Sequence, residues 1–340
     1  MTNPIPILFL VAGALFPQVE FLDFPDLVDT ARDERPVPIS AWFPREKGPF
    51  PLVIFSHGGG GNRESHAKHA EYLAGIGYVV LCPEHVFSNR ARLREHFRKA
   101  RGTVRERFME ALDRIVKDPK AVLERPGDVR FAIDRAREWN ENAGELRGKI
   151  DLDRIAVAGH SFGAYTTLAI CGARPILDHL EPSVKPGRGL AGDLSDPRVD
   201  VGICMSPQGV GTSRFSRESF RTIDRPLLCF SGTKDEQFGS DGSLQDPILR
   251  LEGFRMYPEG DKVMVWLEGA DHLAFADHAR GNRIMTSKAR RDTQRIVKPM
   301  MAIFLDAYLK GDREAKKKLN GDTASGFCGG EIPRLEWHER

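Results

Sequence analysis

The 340 residues are 41% hydrophobic and 29% charged, with no strong bias towards any residue type, so the chain can bury one large core and one domain is the default expectation. Lys and Arg number 50 against 48 Asp and Glu, a net charge of +2. That balance excludes a globally basic nucleic-acid surface and points away from a polyanionic substrate or an acidic partner.

In chain order, residues 1–16 hold an apolar run too short to span a bilayer, with Ala12-Gly13-Ala14 in the A-x-A form of a signal-peptidase site. A basic n-region is lacking. The reading leans to a cleaved export signal, hence a periplasmic or secreted protein. A first strand or a buried N-terminal segment of a cytoplasmic one is the alternative. VEFLDF and VPISAWF then read as paired strands, and PFPLVIFSHGGGG as an apolar strand running into a glycine turn. A helix around residues 65–74 and the strand GYVVLC follow. The rhythm resumes with a helix near residues 128–138, strand RIAVAG, helix SFGAYTTLAIC, strands VDVGICM, PLLCFSG and KVMVWLEG, and a closing helix within 290–310. Short apolar strands alternating with helices predict an α/β architecture, a mostly parallel sheet with helices on both faces.

Two stretches interrupt this rhythm. Residues 88–125, after GYVVLC, carry helical spacing and twelve Lys and Arg against six Asp and Glu. They read as a solvated helical insertion covering the sheet edge, with a lid over the active site as the sharper alternative. Residues 175–197, rich in Pro and Gly, read as a loop. The expected organisation is a domain over 17–310 and a peripheral tail over 311–340. Cys82, Cys204 and Cys229 sit in apolar strand-like runs and read as core. Cys171 and Cys328 could pair in an oxidising compartment, but five cysteines without close spacing make neither a disulfide framework nor a metal site.

The sharpest signal is Gly159-His160-Ser161-Phe162-Gly163, a G-x-S-x-G set between a predicted strand and a predicted helix. A nucleophilic serine needs that context, because a tight strand-to-helix turn projects its hydroxyl from the sheet while glycines admit neighbouring chain. The helix N-terminus behind it favours negative charge developing on a substrate. His57-Gly58-Gly59-Gly60-Gly61, after another apolar strand, offers backbone N–H groups to an oxyanion. Gly59 and Phe162 are the expected donors. A phosphate loop would need Gly-Lys-Ser/Thr, which Gly61-Asn62-Arg63 does not supply.

A serine hydroxyl needs a base, and the base an orienting acid. With the chain order Ser, Asp/Glu, His, the base is expected to be His272, just after strand KVMVWLEG, with His278 as its rival. The acid is expected to be Asp235, after strand PLLCFSG, with Glu236 and Asp241 as rivals. Asp271 is adjacent to His272 and poorly placed to reach round to Nδ1. His66 and His69, spaced i, i+3, lack a carboxylate companion and read as exposed helix positions, while His57 and His160 read as supports for the loop and the elbow.

On these motifs the chain resembles the predicted dienelactone hydrolases and, more distantly, the platelet-activating factor acetylhydrolases and bacterial polyester hydrolases. The resemblance runs from DTARDERPVPISAWFP through PLVIFSHGGGG, GYVVLCPEH, LERPGDVRFAID, IDLDRIAVAGHSFGAYTT and DPRVDVGICMSPQG to EGADHLAF. It implies an α/β-hydrolase fold, a triad of Ser161, Asp235 and His272, and oxyanion donors at Gly59 and Phe162. Two departures bear on it. Dienelactone hydrolases proper use cysteine where this chain has serine. In the acetylhydrolases the acid follows the preceding strand, which here ends in Cys204-Met205-Ser206-Pro207, and this directs the assignment to Asp235. The reading is a serine hydrolase acting on a small-molecule carboxylic ester of short to medium acyl chain, with no cofactor, metal, nucleic-acid partner or stable membrane span. A lipase or phospholipase-type acylhydrolase and a non-catalytic binding protein of the same fold are the alternatives.

Overall fold

The computed structural model describes residues 18–180, 187–276, 288–329 and 334–340. In chain order β1 (Val19–Phe24), the short β2 (Val28–Asp29) and β3 (Arg35–Pro36), β4 (Ile39–Pro44) and β5 (Phe50–Ser56) lead into α1 (Ala67–Gly75) and β6 (Val79–Pro83). Next come α2 (Arg90–Lys99), α3 (Val104–Lys117), α4 (Pro119–Glu141), β7 (Ile150–His160), α5 (Phe162–Ile170), β8 (Val201–Met205) and β9 (Leu227–Lys234). The chain continues through β10 (Gln237–Phe238), β11 (Leu244–Gln245), α6 (Ile248–Phe254), β12 (Lys262–Asp271), α7 (Lys288–Leu309), α8 (Arg313–Lys318), α9 (Gly321–Gly326) and β13 (Leu335–Glu339).

Nine strands form one sheet in the order β1-β4-β6-β5-β7-β8-β9-β12-β13. The strands from β6 to β12 pair in parallel, and the antiparallel contacts lie at the edges, β1 on β4, β4 on β6 and β13 on β12. This is the α/β-hydrolase fold. The pleat divides each apolar strand between two cores. Leu52, Ile54, Val79, Leu81, Ile155 and Val157 face α4 and α5, while Val53, Phe55, Val80, Cys82, Ala156 and Ala158 face α1 and α7. Burial on both faces explains why these strands read as continuous hydrophobic runs rather than alternating ones.

The helical insertion follows β6, as α2, α3 and the first turns of α4. α3 starts on a capping box, in which Thr103 and Glu106 exchange side-chain and backbone hydrogen bonds. α4 starts earlier than the sequence suggests and crosses residue 125 unbroken, although Pro126 lies inside it. A helix-interior proline forfeits its N–H and leaves the carbonyl four residues back without a donor. Here that carbonyl belongs to Val122, and the Tyr165 hydroxyl on α5 donates to it at 2.8 Å. Packing between helices thus repairs the defect.

The tail is less peripheral than expected. Its β13 pairs with β12 from Val263↔Glu339 to Leu267↔Leu335 and covers that edge of the sheet. All five cysteines are free thiols, and Cys171, Cys204 and Cys229 are buried, so the pairing considered for Cys171 and Cys328 is not made. The candidate export signal in 1–16 lies outside the described residues. Among the described residues no helix is long and apolar enough to cross a membrane.

Candidate active site

Ser161 sits between the end of β7 and the start of α5 with φ 56° and ψ −117°, a left-handed conformation that costs a non-glycine residue about 1–3 kcal/mol. The surroundings hold it there. Its N–H donates to the Met205 carbonyl at 2.9 Å, and its carbonyl accepts from Tyr165 N–H at 3.1 Å and from Gln208 Nε2 at 2.8 Å. Both flanking glycines are required by close approach rather than by φ. A Cβ on Gly163 would lie 1.9 Å from the Ser56 carbonyl oxygen, and one on Gly159 would lie 2.4 Å from the Gly163 carbonyl. The G-x-S-x-G spacing is therefore the imprint of β5, β7 and α5 meeting at a turn with no room for side chains.

The structure brings Ser161, His272 and Asp235 together. His272 follows β12, and its Nε2 lies 2.9 Å from Ser161 Oγ while its Nδ1 lies 2.7 Å from Asp235 Oδ1. The His272 side chain is 35% exposed and that of Asp235 is 0%, so the imidazole meets solvent or substrate and the carboxylate does not. Asp235 follows β9, and its other oxygen accepts from Ser231 Oγ at 2.8 Å. The rivals fall away. Glu236 and Asp241 are exposed, and Asp241 is occupied by Ser243. Asp271 pairs with Arg290 at 2.7 Å. His278 lies outside the described residues.

Arg250, on α6, carries no motif and was missed in the sequence. Its guanidinium is buried and clamps the acid, with Nη2 3.1 Å from Asp235 Oδ1 and Nε donating to the Asp235 carbonyl at 2.8 Å. Nη1 donates to the carbonyls of Ser206 and Pro207 at 3.0 and 2.7 Å, and Nη2 reaches within 3.4 Å of His272 Nδ1. Burial opposes ionisation of Asp235, but Arg250 and His272 outweigh it and hold the carboxyl below the usual carboxylate range. Only the tertiary structure could have revealed this residue, since α6 is separated from Asp235 by a hairpin with no recognisable pattern.

The His57–Gly61 loop lies against the elbow. A Cβ on Gly58 would stand 3.5 Å from Ser161 Cβ and 3.3 Å from the His160 carbonyl. Gly60 N–H donates to Ser88 and Gly61 N–H to Gly58, whereas Gly59 N–H finds no acceptor among the described residues. Phe162 opens α5, where the first N–H groups have no intrahelical partner. The two expected donors are thus both uncommitted, on chain that meets at Ser161. His57 and His160 are buried beside them. His160 Nε2 lies 2.9 Å from the His272 carbonyl, and His57 Nε2 accepts from His85 N–H at 3.0 Å. Burial, then neighbouring positive groups, push both imidazoles well below the ordinary histidine value. His66 and His69 correct the sequence reading. They are buried at 3% and 0% exposure, because both rings stack on Phe55 and His69 Nε2 meets Gln294 Oε1 at 2.8 Å.

The geometry sets the Ser161 hydroxyl against an imidazole that is itself held by a buried carboxylate, an arrangement able to activate a nucleophile. The family described as platelet-activating factor acetylhydrolase, isoform II, matches over residues 33–107, from before β3 into α3 and including the glycine loop. The platelet-activating factor acetylhydrolase of Gallus gallus is 24% identical over 268 residues, which cover 70% of this chain and 54% of that protein. The chain thus spans about half the length of that relative. The likeness to dienelactone hydrolases rests on the sequence motifs alone. The chain has the α/β-hydrolase fold and resembles the platelet-activating factor acetylhydrolases.

Proposed function

We propose that the protein is a serine hydrolase that cleaves small-molecule carboxylic esters through an acyl-enzyme. The observation that carries this reading is the placement of His272 between Ser161 Oγ, 2.9 Å away, and Asp235 Oδ1, 2.7 Å away. Ser161 Oγ attacks the ester carbonyl as its proton passes to His272 Nε2. Asp235 accepts from Nδ1–H, fixes the tautomer that leaves Nε2 free to take the proton, and stabilises the imidazolium. Gly59 and Phe162 N–H groups hold the oxyanion. His272 then protonates the departing alkoxide, and water attacks the acyl-enzyme by the same route in reverse. Esters are favoured over amides because an alkoxide needs less help to leave than an amine anion.

The test is hydrolysis of p-nitrophenyl esters from acetate to palmitate by the native chain and by Ser161→Ala. Short to medium chains are expected to be turned over, with loss on the order of 10⁴-fold or more in the variant. Activity that survives the substitution, or no turnover of any ester, refutes the mechanism. A second reading, a phospholipid-type acylhydrolase, is favoured by the resemblance to the acetylhydrolases and by the exposed apolar side chains of Val104 and Phe108, at 73% and 43%, on α3 of the basic helical insertion. Activation by phospholipid vesicles, lost on substituting both side chains by Ser, distinguishes it.

A further inference from the structure

Beneath the glycine loop lies a second Ser–His–Asp constellation. Ser56, the last residue of β5, His85, after β6, and Asp128, on α4, are each 0% exposed. Ser56 Oγ lies 2.8 Å from His85 Nε2, and His85 Nδ1 lies 2.9 Å from Asp128 Oδ2. It does not attack anything, because no solvent reaches it and every group is already engaged. Ser56 Oγ accepts from Arg125 Nη2 at 3.0 Å, and Arg35 grips Asp128 through two hydrogen bonds of 2.6 and 2.8 Å. Its partners say what it does instead.

Arg125 is buried on α4 and makes no direct ion pair among the described residues, so the nearby Asp128 carboxylate offsets its charge only at a distance. Its donors go to both halves of the candidate oxyanion hole. On the loop side Nη2 also donates to the His57 carbonyl, and Nη1 donates at 2.6 Å to Ser88, whose carbonyl accepts from Gly60 N–H at 2.8 Å. On the helix side Nε donates at 2.7 Å to Thr166 Oγ1, which donates at 3.0 Å to the Phe162 carbonyl, and the guanidinium lies 4.5 Å from the centre of the Phe162 ring.

We propose that Arg125, held by the sealed Ser56–His85–Asp128 relay, is the positioning group that keeps the glycine loop and the start of α5 in the register at which Gly59 and Phe162 N–H converge on one oxyanion. This rests on the oxyanion assignment made above. The polar network replaces loop flexibility with a preformed site, which is what electrostatic stabilisation of a transition state requires. Neither Arg125 nor Ser56 touches the Ser161–His272–Asp235 hydrogen bonds, so the unit acts on kcat through the oxyanion and not through the base.

The test compares the native chain with Arg125→Met, Arg125→Lys and the milder Ser56→Ala, each checked by circular dichroism for folding. In Arg125→Met, kcat for p-nitrophenyl butyrate is expected to fall about tenfold to a hundredfold with KM changed less than about threefold. The inhibition constant of phenylboronic acid, whose boron accepts the Ser161 Oγ lone pair to form a tetrahedral anion, should rise by the same factor. Ser56→Ala should follow in the same direction and Arg125→Lys should recover part of the loss, with the pH midpoint of kcat/KM unmoved. Folded variants with native kcat, losses confined to KM, or a shifted midpoint overturn the proposal. Amide hydrogen exchange of the native chain tests the unit independently of activity. Gly60 N–H exchanging as slowly as the β5 amides supports the unit, and exchange at loop rates overturns it. Ester hydrolysis indifferent to Ser161→Ala would instead sink the hydrolase reading and leave this second measurement standing.

Discussion

Acidification should destabilise this protein well above the pH at which its carboxylates protonate. His57, His85 and His160 are buried, and their imidazoles are held well below the ordinary value by burial first and by nearby positive groups second. In the folded chain they stay neutral, whereas in the unfolded chain each binds a proton below about pH 6.5. The unfolded state therefore binds more protons as pH falls, and stability that is complete above about 6.5 is lost below it, down to the depressed folded values. For one such group, going from about pH 7 to about pH 5.5 removes roughly 1.2 kcal/mol. Three together remove about 4 kcal/mol, a large part of a typical domain's stability. The assay is urea unfolding, followed by tryptophan fluorescence at constant ionic strength across that range. Replacing His85 by Gln removes one of these groups and should reduce the loss between those pH values, even though the variant is less stable throughout. A free energy of unfolding that is flat over this range, or a slope unchanged in His85→Gln, refutes the reasoning.

Asp235→Asn keeps the shape of the site but allows the wrong His272 tautomer, so kcat on p-nitrophenyl butyrate should fall on the order of 10³- to 10⁴-fold with little change in KM; a loss under tenfold would remove Asp235 from its role. Arg250→Met leaves the buried Asp235 carboxylate without its cation and strips the Ser206 and Pro207 carbonyls of a donor, and should cost about 3–5 kcal/mol in urea unfolding. A variant as stable as the native chain would show that Arg250 is dispensable to the clamp. Tyr165→Phe orphans the Val122 carbonyl left open by Pro126 and should cost about 1–3 kcal/mol without altering kcat, a prediction that native stability in the variant would end.

The architecture was legible because its signals are local. Apolar runs such as PLVIFS and RIAVAG are long enough to read as buried strands, and G-x-S-x-G records a steric fact, that Gly159 and Gly163 pack against backbone with no space for a Cβ. The order Ser161, Asp235, His272 was equally readable, since each residue follows a recognisable strand at the carboxyl end of the sheet. What misled was local as well. The helix read near residues 128–138 begins at Pro119, because the Tyr165 hydroxyl that replaces the donor missing at Pro126 comes from another helix. His66 and His69 looked exposed because nothing nearby in the sequence shows that Phe55 stacks on them. Residues 335–339 looked peripheral because their partner strand β12, and the core on which Leu335 and Trp337 pack, lie far off along the chain. The amino-acid sequence by itself determined the central strands and the elbow, whose constraints act between neighbours along the chain, and proposed the order of the candidate triad. Only the tertiary structure decided which buried charges surround them, the Arg250 clamp on Asp235 and the Arg125 network under the glycine loop. A guanidinium is tolerated in a core only where carbonyls and hydroxyls from several distant segments converge on it, and that convergence leaves no periodic trace in the sequence.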